Sequence, residues 1–170
     1  MLELGCGPAR DSAFFARLGH TVVATDFSLV ILAPARSIFA AKSGLHFCLL
    51  DTSAPLPFRD DTFNAAYARL SLHYFPDQVT RRVFRELHRV LRPDGLLCFM
   101  CKSTGDPLHG QGRQIEPDMF ERDGHLRHFF SPAYARACLD PDFTLIQLDD
   151  RRGPLSGQPS AFIEVIAQAR

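Results

Sequence analysis

Short apolar runs, each closing on a polar or acidic residue, alternate with stretches of helical period along most of the chain. The runs predict strands at 1–4, 21–25, 45–50, 63–68 and 96–101, and the helical stretches lie at 11–18, in a segment ending near Lys42, and at 77–91. In the helix at 77–91, Val83, Phe84, Leu87, Val90 and Leu91 form one stripe, while Arg81, Arg85, Arg89 and Arg92 form another. A helix running from Ser28 through Pro34 would lose a backbone hydrogen bond at a cost of ~3 kcal/mol, so a late start or a kink is expected there. After Phe130 the pattern changes to a short helix at 132–139 and two alternating runs, 143–148 and 161–167. Gly153-Pro154 and Gly157-Gln158-Pro159 mark the turns between those runs. Strand–helix alternation implies right-handed crossovers and ligands at the carboxyl ends of parallel strands. The expected fold is α/β: one domain over 1–170, a doubly wound, mostly parallel seven-stranded sheet closed by an antiparallel hairpin.

Composition narrows the partners. The 19 basic and 19 acidic residues cancel, so no global field draws the chain to nucleic acid or an anionic membrane. The arginine stripe then reads as a solvated outer face offset by Glu86. No apolar run approaches the length of a membrane span and no cleavable leader pattern opens the sequence, which gives a soluble, cytoplasmic expectation. Cys6, Cys48, Cys98, Cys101 and Cys138 are odd in number and sit mostly in apolar runs, unlike a disulfide framework. Cys98 and Cys101 have C-x-x-C spacing, but three residues apart in a strand they face opposite ways.

The opening Leu2-Glu3-Leu4-Gly5-Cys6-Gly7-Pro8 is the strongest chemical signal, with Asp26 following Gly7 by 19 residues at the end of the next apolar run. Strand, glycine turn, helix, strand and carboxylate make a nucleotide-binding half-unit in which the backbone approaches the ligand and the acid takes a ribose. Glu3, Asp26, Asp51-Thr52 and the run from Arg69 to Phe75 all fall at strand ends that a parallel sheet brings to one rim. Two carboxylates there suit a ribose and an exocyclic amine and would repel a pyrophosphate. The stretch from Lys102 to Phe130 reads as a long structureless loop over that rim, and such loops are often functional. Arg113, Glu116 and His125 are its candidate substrate contacts. His125 and His128 have no further ligand at metal-binding spacing, so no metal is expected.

These motifs together resemble the class I S-adenosylmethionine-dependent methyltransferases. The matching segments are LELGCGP at 2–8, VVATDFS at 22–28, LLDTSAPLPFRDDTFNAAYA at 49–68, SLHYF at 71–75 and ELHRVLRPDGLLCF at 86–99. The resemblance implies that Gly5, Cys6 and Gly7 pass under the methionine part of S-adenosyl-L-methionine, with Glu3 beside them. It places Asp26 on the ribose hydroxyls, Phe27 against the adenine, Asp51 and Thr52 at the adenine amine, and Arg69 along the sulfonium side. His73 and Tyr74 are then the best-placed catalytic candidates. The implied reaction yields S-adenosyl-L-homocysteine and a methylated small molecule, the acceptor being a thiol, amine, hydroxyl or metalloid oxyanion. The string from KSTGD to GHLRHFFS is similar to small bacterial relatives of the tellurite-resistance and thiol-methylating types.

The sequence departs from the family in three places. Ala9 stands where a third glycine is common, Asn64 replaces an Asp, and the first strand opens the sequence where the family carries covering helices. An upstream start, a homodimer or a partner over the open face is therefore expected. A non-catalytic cofactor-fold subunit is one alternative reading. An NAD-dependent oxidoreductase is the other, disfavoured because Arg10 occupies the third small position of G-x-G-x-x-G/A.

Overall fold

The computed structural model describes residues 1–170. Ten strands and four helices follow the chain as β1 (Leu2–Leu4), α1 (Arg10–Arg17), β2 (Val22–Asp26), α2 (Leu29–Ile38), β3 (Leu45–Leu49), β4 (Phe63–Arg69), α3 (Asp77–Val90) and β5 (Leu91–Lys102). They continue as β6 (Arg113–Glu116), β7 (Met119–Arg122), β8 (His125–His128), α4 (Pro132–Leu139), β9 (Phe143–Leu155) and β10 (Gln158–Ala169). Seven strands form one sheet in the order β3-β2-β1-β4-β5-β10-β9. The first five are parallel, whereas β10 runs antiparallel to both β5 and β9. The doubly wound sheet with a closing hairpin is thus the observed fold. Its strand order reverses beside β1, and the carboxyl ends of β1 and β4 open the crevice where such sheets take ligands.

Apolar period decides which face each helix covers. In α3 the stripe of Val83, Phe84, Leu87 and Val90 packs with Leu2, Leu4, Ala66, Leu97 and Phe99 of the sheet, and with Cys138 and Leu139 of α4, in the larger core cluster. The opposite face is covered by α1 and α2 over β2 and β3, where Ala16, Val22, Ala24, Leu32 and Leu45 form a smaller cluster. The arginine stripe has a fastening role in addition to exposure. Arg89 bonds Glu86, Asp60 and the carbonyls of Leu56 and Phe58, which ties the β3–β4 connection to α3.

Three expectations are corrected. Helix α2 begins at Leu29 and runs through Pro34, so burial of Leu32 and Ala35 outweighs the lost backbone bond. The hairpin strands are longer than their apolar alternation: Gly153 and Pro154 lie inside β9, and the turn falls at Ser156 and Gly157. The segment after β5 is not structureless, because β6, β7 and β8 pair as a three-stranded antiparallel sheet fixed by buried Met119 and Phe129. No helix is long and apolar enough to cross a membrane.

Candidate functional site

The chain leaves β1 through Gly5 and Gly7, both with left-handed φ, at +66° and +52°. At Gly5 a Cβ would lie 2.4 Å from Cβ of Ser71. The Ser71 hydroxyl donates to the Leu4 carbonyl at 2.7 Å, so the loop after β4 closes directly on the loop after β1. At Gly7 a Cβ would meet nothing within 4 Å, which leaves an open cradle where a ligand can reach the backbone. Ala9 adopts φ +57° at the start of α1, so the position that lacks the expected glycine keeps a glycine-like conformation.

Asp26 is only 7% exposed and each of its oxygens is engaged. Oδ2 accepts from the Gly7 N–H and Oδ1 from the Ser28 N–H, both at 2.9 Å. Its first task is to lock the glycine loop to the start of α2; lone pairs remain on each oxygen for a further donor. Phe27 beside it is 79% exposed and presents its ring at the rim. Asp51 is exposed, with Oδ1 accepting from the Ser53 N–H at 2.8 Å and the Ser53 hydroxyl at 2.7 Å. Those bonds hold its carboxyl below the ordinary range and leave Oδ2 open. Thr52 is half-buried next to it, and Arg69 is exposed at the end of β4.

The side chains of Glu3 and Cys6 both turn into the protein. The Glu3 side chain is buried and accepts from the Ser12 hydroxyl, joining β1 to α1 beneath the loop and presenting no carboxylate to a ligand. Burial pushes its carboxyl up to about 7. Burial and then the charges of Glu3 and Asp26 push the Cys6 thiol up to about 12, which leaves it protonated and unreactive.

A second feature adjoins this cradle. After Leu70, a non-glycine residue at φ +56°, the chain makes a one-turn 3-10 segment, Leu72–Tyr74. Strain of this kind persists only where surrounding packing fixes it. Leu70, His73 and Tyr74 form one wall of a cavity of about 440 Å³. Lys102 at the end of β5, Arg127 in β8, and Leu155, Gln158 and Ser160 at the tip of the β9–β10 hairpin complete its lining, with Pro107 and Leu108. His73 is 2% exposed and its Nδ1 has no partner. Burial, followed by the positive charges of Arg127 and Lys102, pushes its ring down to about 3, so it is neutral at physiological pH. Lys102 Nζ donates to Asp106 Oδ2 at 2.7 Å and to the Ser160 hydroxyl at 2.8 Å. Asp106 also accepts from the Leu108 and Ala161 N–H groups, each at 3.0 Å. Lys102 is therefore neutralised in place, while Arg127 pairs with no carboxylate.

The candidate substrate contacts do not converge on this cavity. Arg113 is exposed and faces Glu121 at 3.4 Å. Glu116 accepts from the Asp77 N–H at 2.9 Å, capping α3, which has no capping side chain of its own. His125 is exposed at the outer start of β8. None of the three lines the cavity, whereas Arg127 of the same segment does, together with Lys102. The signal that could have singled out part of the lining was the position of Lys102 at a parallel strand's carboxyl end.

Comparison with known proteins places this arrangement. Malonyl-[acyl-carrier protein] O-methyltransferase of Salmonella typhimurium is 36% identical over 105 residues, which are 62% of this chain and 39% of that protein. The chain thus spans less than half the length of that curated relative. A SAM-dependent methyltransferase from Methanosarcina mazei superposes with a TM-score of 0.86 at 20% identity, over 99% of this chain and 91% of the other. Burkholderia thailandensis 1,6-didemethyltoxoflavin-N1-methyltransferase, solved with S-adenosylhomocysteine bound, superposes with a TM-score of 0.77 at 21% identity, over 99% of this chain and 69% of the other. Residues 1–95, which hold β1 to α3, the glycine cradle and both rim carboxylates, match the family described as "Methyltransferase domain", and the chain belongs to that family.

Proposed function

We propose that the chain is an S-adenosylmethionine-dependent methyltransferase that methylates a small-molecule nucleophile. The observation that carries this reading is the shared wall: Ser71 packs on Gly5 of the open cradle, and Leu70, His73 and Tyr74 of the same loop line the neighbouring cavity. The cradle fits the cofactor, since at Gly7 the space a Cβ would occupy is open and the flanking carboxylates favour hydroxyl and amine donors over phosphate. In this reading the backbone from Gly5 to Gly7 holds the methionine part, Asp26 takes the ribose hydroxyls and Phe27 covers the adenine. Asp51, with Thr52, accepts from the adenine amine, and Arg69 runs along the sulfonium side. When bound, the cofactor supplies a methyl group made electrophilic by a sulfonium.

This chain's own residues supply alignment and exclusion of water. Tyr74 and His73 contact the nucleophile from the shared wall. His73, neutral at physiological pH, acts there as a hydrogen-bonding group and is too weak a base to take a proton from an alcohol or ammonium. The sheet face opposite α3 offers a groove lined by Met1, Phe15, Tyr67, Leu96 and Cys98, where a covering segment, a second copy or a partner subunit would seat. Five free thiols agree with work in a reducing cytoplasm. Thermal shift with S-adenosylhomocysteine and, separately, NAD tests the reading: only the former should raise the melting temperature. A rise with NAD alone would overturn it.

A further inference from the structure

We propose that the acceptor cavity selects a carboxylate attached to an apolar body, and that Arg127 is the residue that binds it. This inference rests on the methyltransferase reading and names the substrate class of the same site.

Charge around the cavity is one-sided. Asp106 is the acid beside it, and its oxygens are occupied by Lys102 Nζ and the N–H groups of Leu108 and Ala161. That leaves no carboxylate for Arg127, which is half-buried in β8 and makes neither an ion pair nor a hydrogen bond with any other residue. A half-buried guanidinium without a partner is costly, and its planar fork matches a carboxylate in two parallel hydrogen bonds. Lys102, held by Asp106 and Ser160, is paired already and leaves Arg127 as the cation of the lining without a partner. The other walls, from Leu70, Leu108, Leu155 and Pro159, are apolar, which an inorganic oxyanion would leave uncovered and a carbon chain would fill.

The proton balance agrees. His73 Nδ1 is sealed in the protein without a partner, and the ring is shielded from protonation by burial and the neighbouring cations. No other carboxylate in the cavity is free to serve as base. An acceptor that arrives already ionised needs none: its oxygen bonds the methyl carbon as the carbon–sulfur bond breaks, and the electron pair passes to sulfur. The products are a neutral methyl ester and a neutral thioether, and no proton moves. Opposite charges cancel in that step, so surroundings less polar than water favour it.

Isothermal titration of the chain saturated with S-adenosylhomocysteine tests this, using butanoate, hexanoate, octanoate and 3-phenylpropanoate, each against its primary amide. At least one acid should bind tenfold or more tightly than its amide. Arg127→Gln should weaken that acid by roughly ten- to a hundred-fold while leaving the amide and S-adenosylhomocysteine affinity unchanged and the melting temperature no lower, and Arg127→Lys should recover part of the loss. Mass spectrometry of reactions with S-adenosylmethionine should show the corresponding methyl ester. If S-adenosylhomocysteine itself gives no binding, the methyltransferase reading fails. If it binds and every acid matches its amide, or selenite binds through Arg127 in their place, the carboxylate inference alone is overturned.

Discussion

The two halves of the sheet's carboxyl rim are built by different means. Over β1 to β3 the site is backbone: left-handed Gly5 and Gly7, two N–H groups pinned by Asp26, and an Asx turn at Asp51 whose own Ser53 fixes it. Over β4 and β5 the site is side chain, assembled from the β4 loop, the end of β5, the β6–β8 sheet and the tip of the last hairpin. Backbone geometry serves a ligand that every member of a fold family shares. Side chains gathered from distant segments can change one at a time, which is why we propose that half as the one that chooses an acceptor. The two halves meet where Ser71 packs on Gly5 and Leu70 is held at φ +56°.

Breaking the meeting point should have the largest effect. Gly5→Val puts a branched Cβ into the position 2.4 Å from Ser71 Cβ, at a φ that valine resists. It should cost about 3–5 kcal/mol, read by urea denaturation, and abolish binding on both halves. Loss of less than about 1 kcal/mol would mean the two loops are not tightly coupled.

Buried ionisable groups should then separate the halves by pH. Glu3, raised from 4.5 to about 7, binds more protons when folded, so its contribution is full below pH 4.5 and is lost as pH rises to 7. His73, lowered from 6.5 to about 3, binds fewer, so its contribution is full above pH 6.5 and is lost as pH falls to 3. Stability measured against pH should lose the falling component in Glu3→Gln, worth up to about 3 kcal/mol, and the rising one in His73→Gln. Identical profiles for wild type and both variants would contradict the burial of these groups.

Asp26→Asn should weaken S-adenosylhomocysteine by roughly ten- to a hundred-fold, because one loop N–H loses a charged acceptor and, in the proposed role, the ribose loses its partner. Carboxylate binding should fall far less, and an equal loss on both halves would erase the distinction between them. Ala9→Gly removes a left-handed non-glycine conformation at the start of α1, with a net gain of up to about 1 kcal/mol after the added freedom of the unfolded chain. His125→Ala, at an exposed strand end, should change stability by no more than about 0.5 kcal/mol and leave both affinities within a factor of two.

The same contrast explains what was legible in the sequence. Gly5, Gly7, Asp26 and Asp51 fall together because each lies at or just beyond the carboxyl end of a parallel strand, and short-range spacing fixes which rim it joins. Glu3 obeys that spacing too, but the alternation of β1 turns its side chain inward to Ser12. Arg113, Glu116 and His125 fall outside the cavity lining because the 102–130 segment carries β6 to β8, whose pairing decides which residues face the cavity. Arg127 and Ser160 belong to one lining only through contact between segments far apart in the chain, and no local pattern encodes that. Pro34 shows the reverse case, a strong local preference overruled by tertiary burial of its helix.

Two-dimensional amide NMR of the labelled chain, titrated with S-adenosylhomocysteine and then with the preferred carboxylate, tests the division of the rim most directly. S-adenosylhomocysteine should shift Gly5 to Gly7, Phe27 and Asp51 to Ser53, and the carboxylate should then shift Lys102, Arg127 and Ser160, with Leu70 to Tyr74 responding to both. Shifts from S-adenosylhomocysteine confined to the β5–β8 side, or none at the glycine loop of a folded chain, would contradict the account.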